Sequence, residues 1–324
     1  MKPSKLITVF VAALLLVALI FAFSPKKEAK NETSKAAQTT KALPKKIEVT
    51  DSTGKKMSVP TRPSHVVVFD NGSLDTIAAL GESKSVVGAA TKNLPSYLSQ
   101  FKKIESAGGL KEPDLEKINA LQPDIIIISG RQESFKDDLE KIAPVLYLAT
   151  DNTKVWESTK SNIMTIASIY GKKDQATKKI NQLDKNITRL KAKATKANLS
   201  TLTTLSNEGQ LAAFGKASRY AIINDTFGFK NIDNTIKAST HGQQISFEYV
   251  LEKNPDLIFV IDRTKAISGV TSETSIANNE LVKQTTAGKN KKVIDLDPSL
   301  WYLSGGGLQS TQLMIDGVEK AFSK

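Results

Sequence analysis

The sequence contains no cysteine and only two histidines, His65 and His241, among 324 residues. Without cysteine the chain can form no disulfide, zinc knuckle, iron–sulfur cluster or thiol nucleophile, and it has no cysteine to carry a lipid anchor. Two histidines also exclude a metal centre with several imidazole ligands. The chemistry of a functional site must therefore come from carboxylates, cationic side chains, tyrosines or an isolated histidine.

The motifs of common enzyme classes are also missing. There is no Walker A run, no strand followed by GxGxxG and a helix, and no GxSxG. The glycines at 305–307 precede a predicted helix, where they could be a flexible entry or could hold an anion at the helix N-terminus. The lack of a nucleophile or cofactor motif disfavours an exported enzyme acting on an anionic substrate, which we keep as an alternative.

Charge is unevenly distributed. The formal net charge is +12, of which the first 44 residues contribute +5 and the rest +7. A positive balance favours nucleic acid, a membrane surface or a small anion as partner, although solvated lysines explain it equally well. The lysines are spread over the predicted helices without interleaved aromatic residues, so nucleic acid is not expected as a partner.

The N-terminus has the pattern of an export signal. Two lysines within the first five residues precede an uncharged apolar run over residues 6–23, which is just long enough to span a bilayer. Pro25 would follow the best cleavage position and should hinder cleavage. Residues 1–24 are therefore predicted to be a signal peptide or an N-terminal membrane anchor, and residues 25–45 a flexible linker. The folded part is expected outside the cytoplasmic membrane, in the periplasm or at the outer face of that membrane.

The rest of the chain alternates short apolar strands with helices, which is typical of α/β lobes with mostly parallel sheets. Residues 46–152 are predicted to form an N-terminal α/β lobe and residues 199–324 a C-terminal α/β lobe. Residues 153–198 are predicted to be connecting helices, the second of them longer than 20 residues. The predicted fold class is therefore α/β, with two lobes and a long helix between them.

Two segments, residues 114–128 and 246–260, match in register. In each, a glutamate near the helix start is followed seven residues later by Pro-Asp and an apolar strand, and then by an arginine, Arg131 or Arg263. One helix–Pro-Asp–strand unit would mean little, but two copies indicate two similar lobes. Because ligands of open α/β sheets bind at the carboxyl ends of strands, the two edges are predicted to form a cleft with a basic wall from each lobe.

Five side chains could serve this cleft. Arg131, Arg219 and Arg263 could equally form salt bridges, His241 lies in a polar loop, and Tyr302 lies beside a tryptophan after the last strand. Taken singly, the histidine and the tyrosine are more typical of structural or surface residues. Because all five follow strands or lie in loops of the lobes, they are predicted to converge on the cleft.

From about residue 47 onward the sequence resembles the ABC-importer binding proteins for ferric catecholate siderophores, of the ferric enterobactin and petrobactin type. The resemblance rests on KNLP at 92–95, PDIIIISGRQ at 123–132, AFG at 213–215 with SR at 218–219, THG at 240–242, LEKNPD at 251–256, and DP at 297–298 with WYL at 301–303. It implies two Rossmann-like lobes joined by a rigid backbone helix, no catalytic activity, and no intrinsic cofactor, since ferric iron is bound as the siderophore complex.

The resemblance also implies roles for individual residues. It assigns the ligand pocket to Arg131, Arg219, Arg263 and Lys92. It assigns direct iron ligation to His241 and Tyr302, and docking onto arginines of the ABC permease to Glu116 and Glu248. Many relatives carry a lipid-modified cysteine that this chain lacks, so a cleaved signal or a membrane anchor is expected instead of a lipoprotein.

The chemistry is consistent with those roles. A ferric tris-catecholate carries a net charge of about −3, which three guanidinium groups match in a partly desolvated cleft. A bis-catecholate leaves about two of the six iron positions open for a phenolate and an imidazole. We expect a monomeric extracytoplasmic receptor that delivers such a chelate to an ABC permease. The alternatives are a receptor for another ferric chelate or a corrinoid and, less favoured, a scaffold or adhesion protein.

Overall fold

The computed structural model describes residues 43–270 and 275–323, and Leu43–Lys324 form one compact unit that contains both sheets. The signal or anchor predicted for residues 1–24, and most of the predicted linker, lie outside the described residues. Within the described ranges, no helix is both long enough and apolar enough to cross a membrane.

The N-terminal lobe is built on a parallel sheet with the strand order β5–β4–β3–β6–β7. An antiparallel hairpin of β1 (Lys46–Thr50) and β2 (Lys56–Pro60) precedes it. The strands of the sheet are β3 (Val66–Val68), β4 (Val86–Ala89), β5 (Glu105–Ser106), β6 (Ile125–Ile128) and β7 (Val145–Tyr147). The α-helices of this lobe are α1 (Asn71–Ala79), α2 (Leu115–Ala120) and α3 (Lys136–Glu140), with 3₁₀ turns at Ser83–Ser85, Ser96–Phe101 and Gly130–Phe135.

Two consecutive helices, α4 (Val155–Tyr170) and α5 (Lys173–Ala197), connect the lobes. Gly171 ends α4 with a φ of +68°, a left-handed conformation that glycine adopts without strain. The 25 residues of α5 extend over about 38 Å, which confirms the prediction of one long connecting helix. Its buried stripe consists of Ala176, Ile180, Leu183, Ile187, Leu190 and Ala194.

The C-terminal lobe has the strand order β11–β9–β8–β12–β13, with β10 beside β8. Its strands are β8 (Ser200–Asn207), β9 (Gln210–Phe214), β10 (Lys230–Asn231), β11 (Gln243–Ile245), β12 (Leu257–Asp262) and β13 (Val293–Leu296). Its α-helices are α6 (Phe247–Lys253), α7 (Arg263–Ser268), α8 (Glu280–Gln284), α9 (Thr286–Lys289), α10 (Pro298–Leu303) and α11 (Leu308–Glu319). Shorter helical turns lie at Ile222–Thr226, Ile276–Asn278 and Lys320–Phe322.

The C-terminal sheet is mixed: three of its strand pairings are parallel and two are antiparallel. Glu208 and Gly209 both have positive φ, at 51° and 79°, so a two-residue turn folds β9 back onto β8 as an antiparallel hairpin. The edge strand β11 then pairs antiparallel with β9. The prediction of mostly parallel pairing holds for β10, β8, β12 and β13, and β12 is the strand of the repeated unit.

The repeated Pro-Asp pair makes the same junction in both lobes. Asp124 accepts hydrogen bonds from the N–H groups of Ser64 at 2.8 Å and His65 at 2.9 Å, immediately before β3. Asp256 accepts from the N–H of Ser200 at 2.9 Å and from its hydroxyl at 2.7 Å, at the start of β8. Each carboxylate thus satisfies backbone donors at the start of the neighbouring strand, which gives the sequence repeat a structural cause.

The two lobes meet where α1 packs against α11. The sequence predicts that residues 71–73 separate the strand over residues 65–69 from a helix that starts at Leu74. The helix α1 already begins at Asn71, because the side chain of Asp70 accepts from the N–H of Ser73 at 2.7 Å and caps the helix. Gly72 lies on the contact face. A Cβ atom at this position would collide with the carbonyl oxygen of Gly305, so glycine permits the close approach of the two backbones.

The N-terminus of α11 holds an anion that the chain itself provides. The carboxylate of Asp75 on α1 accepts hydrogen bonds from the backbone N–H groups of Gln309 at 2.9 Å and Ser310 at 2.7 Å. A Cβ at Gly307 would collide with this carboxylate, so the glycines at 305–307 are neither a loose entry nor a site for an external anion. Burial raises the pKa of Asp75 to about 6, although the donors on α11 favour the charged form.

Replacing Asp75 with asparagine should change how stability depends on pH. Because the pKa is raised on folding, the folded protein binds this proton more tightly, and the contribution to stability is lost as the pH rises through about 6. Between about pH 4 and pH 7, the free energy of unfolding of the unmodified protein should fall relative to the Asp75→Asn variant by up to about 3 kcal/mol. Urea titrations at several pH values check this, with the exposed Asp137→Asn as matched control. A pH-independent difference would contradict it.

Candidate functional site

Three arginines surround Tyr302, and two of them follow the carboxyl ends of parallel strands. Arg131 follows β6 in the first lobe, Arg219 follows β9, and Arg263 is the first residue of α7, directly after β12. Tyr302 lies in α10, a short helix capped by Asp297, rather than in a loop. The structure therefore brings together side chains from both lobes that are up to 171 positions apart in the chain.

Tyr302 is contacted through its carbonyl, its ring and its hydroxyl. Arg131 donates to the carbonyl oxygen at 2.6 Å, and Arg219 donates to the same oxygen. The guanidinium carbons of Arg131, Arg219 and Arg263 lie 5.7, 4.4 and 5.6 Å from the ring centroid. Arg263 donates from Nε to the phenol oxygen at 2.8 Å. All four side chains are half-buried, so these charges are partly removed from water.

Among the described residues, the arginine cluster has no carboxylate in direct contact, although the charge of the buried Asp70 acts on Arg131 from a greater distance. Among the described residues, no carboxylate oxygen lies within 4 Å of a guanidinium nitrogen of Arg131, Arg219 or Arg263. Burial and then the neighbouring charge of Arg219 lower the pKa of Arg131. Like charges held together in this way repel one another, so an anion that entered the cluster would be bound favourably.

The cluster also favours the ionised form of Tyr302. Burial alone would raise the pKa of the phenol, but the hydrogen bond from Arg263 and the charges of all three arginines outweigh it and hold the pKa below its ordinary value of 10. A phenolate oxygen is a ligand of ferric iron in proteins. The site can therefore offer iron one anionic oxygen as well as a positively charged surround.

The structure does not bring His241 into contact with this cluster. His241 is exposed on the turn before β11, and its imidazole forms no hydrogen bond with any described residue. Its backbone N–H donates to the hydroxyl of Ser239 at 3.1 Å. The part of the chain that the structure describes contains no group of three or more His, Cys, Asp or Glu side chains placed to hold a metal ion. Iron ligation by His241 stays a prediction.

Two asparagines that the sequence does not single out belong to the cleft. Asn207, at the end of β8, accepts a hydrogen bond from Nη1 of Arg263 at 2.5 Å and so helps to orient that guanidinium group. Asn93 donates to the carbonyl oxygen of Ile267 on α7 at 2.9 Å and thereby links the two lobes. Its neighbour Lys92, predicted to bind ligand, is exposed on the same turn. Asn93 adopts a left-handed φ of +62°, which asparagine tolerates well.

Glu116 and Glu248 occupy the same position in the repeated unit. Each is the second residue of a helix, after the caps Asp114 of α2 and Ser246 of α6. Both are exposed, and the helix start favours their negative charge. The pKa of Glu248 is held below its ordinary value, chiefly by a backbone N–H. Two equivalent, accessible carboxylates, one on each lobe, are thus available to a partner.

A separate hollow of about 400 Å³ lies between Tyr97, Trp301 and the outer side of α11. None of the three arginines lines it, and its charged lining consists of two carboxylates, Asp297 and Asp316, and one cation, Lys320. Because two negative charges face one positive charge there, we assign the anion site to the arginine cluster.

Two α/β lobes joined by a long helix, with arginines from both lobes that have no carboxylate partner in the described ranges and meet at one cleft, define a two-lobed substrate-binding protein. The chain matches the model of the Periplasmic binding protein family over residues 66–300 and belongs to that family.

Two similar proteins are named for binding petrobactin and a catecholate siderophore. The chain is 44% identical over 319 residues to the petrobactin-binding protein YclQ of Bacillus subtilis, covering 95% of this chain and 99% of the relative. The crystal structure of YclQ matches with a TM-score of 0.84 over 86% of this chain and 99% of its own. The catecholate-siderophore binding protein VctP of Vibrio cholerae matches at 32% identity with a TM-score of 0.79, over 85% of this chain and 99% of its own. These matches confirm the predicted family and fold, and the similar proteins are binding proteins rather than enzymes.

Proposed function

We propose that this protein is the extracytoplasmic receptor of an ABC importer, which binds a ferric catecholate siderophore and delivers it to the permease. The observation that carries the proposal is the group of three half-buried guanidinium groups, from both lobes, without a carboxylate partner among the described residues. A ferric tris-catecholate, with a net charge of about −3, supplies the missing negative charge. The petrobactin-binding and catecholate-siderophore binding relatives support the same class of ligand.

A bis-catecholate would use the site differently. Its iron has about two open coordination positions, and the phenolate of Tyr302 is suited to one of them. The imidazole of His241, which has no hydrogen-bond partner in the described ranges, can supply the other. In this proposal iron is bound as part of the siderophore complex, so the role requires no resident metal or cofactor.

Titration with a small panel of ferric siderophores and their iron-free forms tests the proposal. Intrinsic tryptophan fluorescence should be quenched by ferric tris- and bis-catecholates, because Trp301 is adjacent to Tyr302 in α10. The bis-catecholate should in addition give a visible charge-transfer band from tyrosinate to iron. Stronger binding of ferric hydroxamates or of a corrinoid, or no binding of any ferric chelate, would overturn the assignment to catecholates.

We propose that the receptor is a monomer held at, or released from, the outer face of the cytoplasmic membrane. The family is periplasmic by name, and the sequence has a signal-like apolar run at residues 6–23. Because the chain has no cysteine, a lipid-modified cysteine cannot anchor it. Mass analysis of the mature N-terminus distinguishes a cleaved signal from a retained anchor.

Replacing Glu116 and Glu248 together with glutamine should impair uptake without impairing binding. If the two carboxylates dock on permease arginines, their loss should reduce uptake of the ferric siderophore at least about tenfold, as for charged pairs at interfaces. Affinity for the siderophore should stay unchanged, since both residues are exposed in α2 and α6 rather than in the cleft. The paired variant Glu105→Gln and Glu280→Gln is the matched control. Equal uptake by both variants would remove the docking role.

A further inference from the structure

The outward face of α5 carries a straight row of four cations. Lys178, Lys185, Arg189 and Lys196 are spaced by seven, four and seven residues, which places them on one line along a helix. All four are exposed, and their line lies opposite the buried stripe of the helix. The row is about 27 Å long at the rise of an α-helix.

This charge is scarcely neutralised by the protein. Among the described residues, Lys178, Lys185 and Lys196 have no carboxylate within 4 Å. Arg189 reaches Glu319 only at 3.9 Å and keeps 65% of its side chain exposed. Asp184, an acidic residue of the same helix, does not pair with the row. Its carboxylate accepts a hydrogen bond from Trp156 and lies 3.8 Å from Lys160 on α4. A row of free cations therefore faces solvent.

The compact unit Leu43–Lys324, called the body below, begins beside this helix. Leu43, the first described residue, contacts the backbone at Gly171, two residues before α5 begins. The preceding 42 residues, with the apolar run at 6–23, are therefore attached to the body near the start of α5. If the apolar run at residues 6–23 engages a membrane, the chain that follows it joins the body near the N-terminal end of α5, the helix that carries the cationic row.

We propose that the outer face of α5 binds the surface of an anionic phospholipid membrane. A straight row of cations without an apolar strip matches a flat array of phosphate groups better than it matches a single small anion, which needs convergent donors. Binding of this kind is electrostatic, so it is reversible and is screened by salt. It is independent of the siderophore cleft, because none of the four residues contacts Tyr302 or the arginines around it among the described contacts.

Vesicle sedimentation of the isolated body tests this proposal. Leu43–Lys324 are a compact unit, and the YclQ crystal structure matches 86% of this chain over 99% of its own length, so the body can be studied without the first 42 residues. The body should sediment with vesicles of phosphatidylglycerol mixed into phosphatidylcholine, and not with pure phosphatidylcholine. Raising the salt from about 0.05 M to about 0.5 M should release it.

Two variants that lose equal charge distinguish an effect of the α5 face from an effect of the protein's net charge. Changing Lys178, Lys185, Arg189 and Lys196 to glutamine should weaken vesicle binding at least about tenfold. Changing the exposed Lys102, Lys103, Lys289 and Lys291 to glutamine should weaken it less than about threefold. Siderophore affinity, measured by fluorescence quenching, should be the same for both variants. Equal losses in both variants, or no binding of the unmodified body to the anionic vesicles, would overturn the proposal.

Discussion

Replacing any one of Arg131, Arg219 or Arg263 with glutamine should weaken binding of a ferric tris-catecholate by roughly 100-fold. Each guanidinium group is half-buried and lacks a carboxylate partner among the described residues, so its charge is available to the ligand. Glutamine keeps some hydrogen-bonding capacity but removes the charge and the planar fork of donors. The loss therefore measures mainly the electrostatic contribution of each arginine.

The matched control for this series is Arg62→Gln. Arg62 is an exposed arginine in the connection between β2 and β3, far in sequence from the cleft residues. Its replacement should change the dissociation constant less than about twofold, as expected for an exposed charge. Fluorescence-quenching titrations with one tris-catecholate measure all four variants. If an arginine of the cluster behaves like Arg62, it does not bind the anion.

Replacing Tyr302 with phenylalanine should separate two classes of ligand. A bis-catecholate depends on protein atoms to complete the coordination of iron, so its binding should weaken by at least about 100-fold. A tris-catecholate already fills the coordination sphere and should lose less than about tenfold. The charge-transfer band of the bis-catecholate complex should disappear with the phenolate. His241→Ala should show the same selectivity if the imidazole is the second ligand.

The pH dependence of the same complexes gives an independent readout. Iron must displace the phenol proton of Tyr302, so bis-catecholate binding should strengthen as the pH rises and weaken in acid. The arginines hold the pKa of Tyr302 below 10, which lessens this cost near neutral pH. Tyr249→Phe is the control, because Tyr249 donates to Asp233 away from the cleft. Equal losses for both ligand classes in Tyr302→Phe would show that this residue packs against the ligand and does not ligate iron.

The features that the sequence could predict are those encoded locally. The Pro-Asp repeat predicted two similar lobes, because each aspartate satisfies donors at the start of an adjacent strand within one α/β unit. The apolar strands ending before Arg131 and Arg263 indicated which edges face the cleft. The periodic apolar stripe of α5 predicted the connecting helix, since burial of one helix face leaves a regular pattern.

The features that escaped prediction depend on distant parts of the chain. Arg131 and Arg219 both donate hydrogen bonds to the carbonyl oxygen of Tyr302, and no local sequence pattern predicts this shared acceptor. The orientation of Arg263 by Asn207 needs the registered pairing of β8 with β12. Gly72 was predicted to lie in a break between a strand and a helix, whereas it lies in α1 and permits the contact between the two lobes. Close packing of this kind is specified by partners that sequence spacing does not reveal.

The hydrogen bonds between Asp75 and the N-terminus of α11 affect how the protein folds. The two hydrogen bonds join positions 234 and 235 residues apart, so they close most of the body into one loop. Contacts of such high order form late, because the entropy of loop closure must be overcome before they stabilise anything. A polypeptide that stops before residue 308 would leave the carboxylate of Asp75 without its two amide donors on α11. We therefore expect α1 in the first lobe to reach its native packing only after α11, the last long helix, has docked against it.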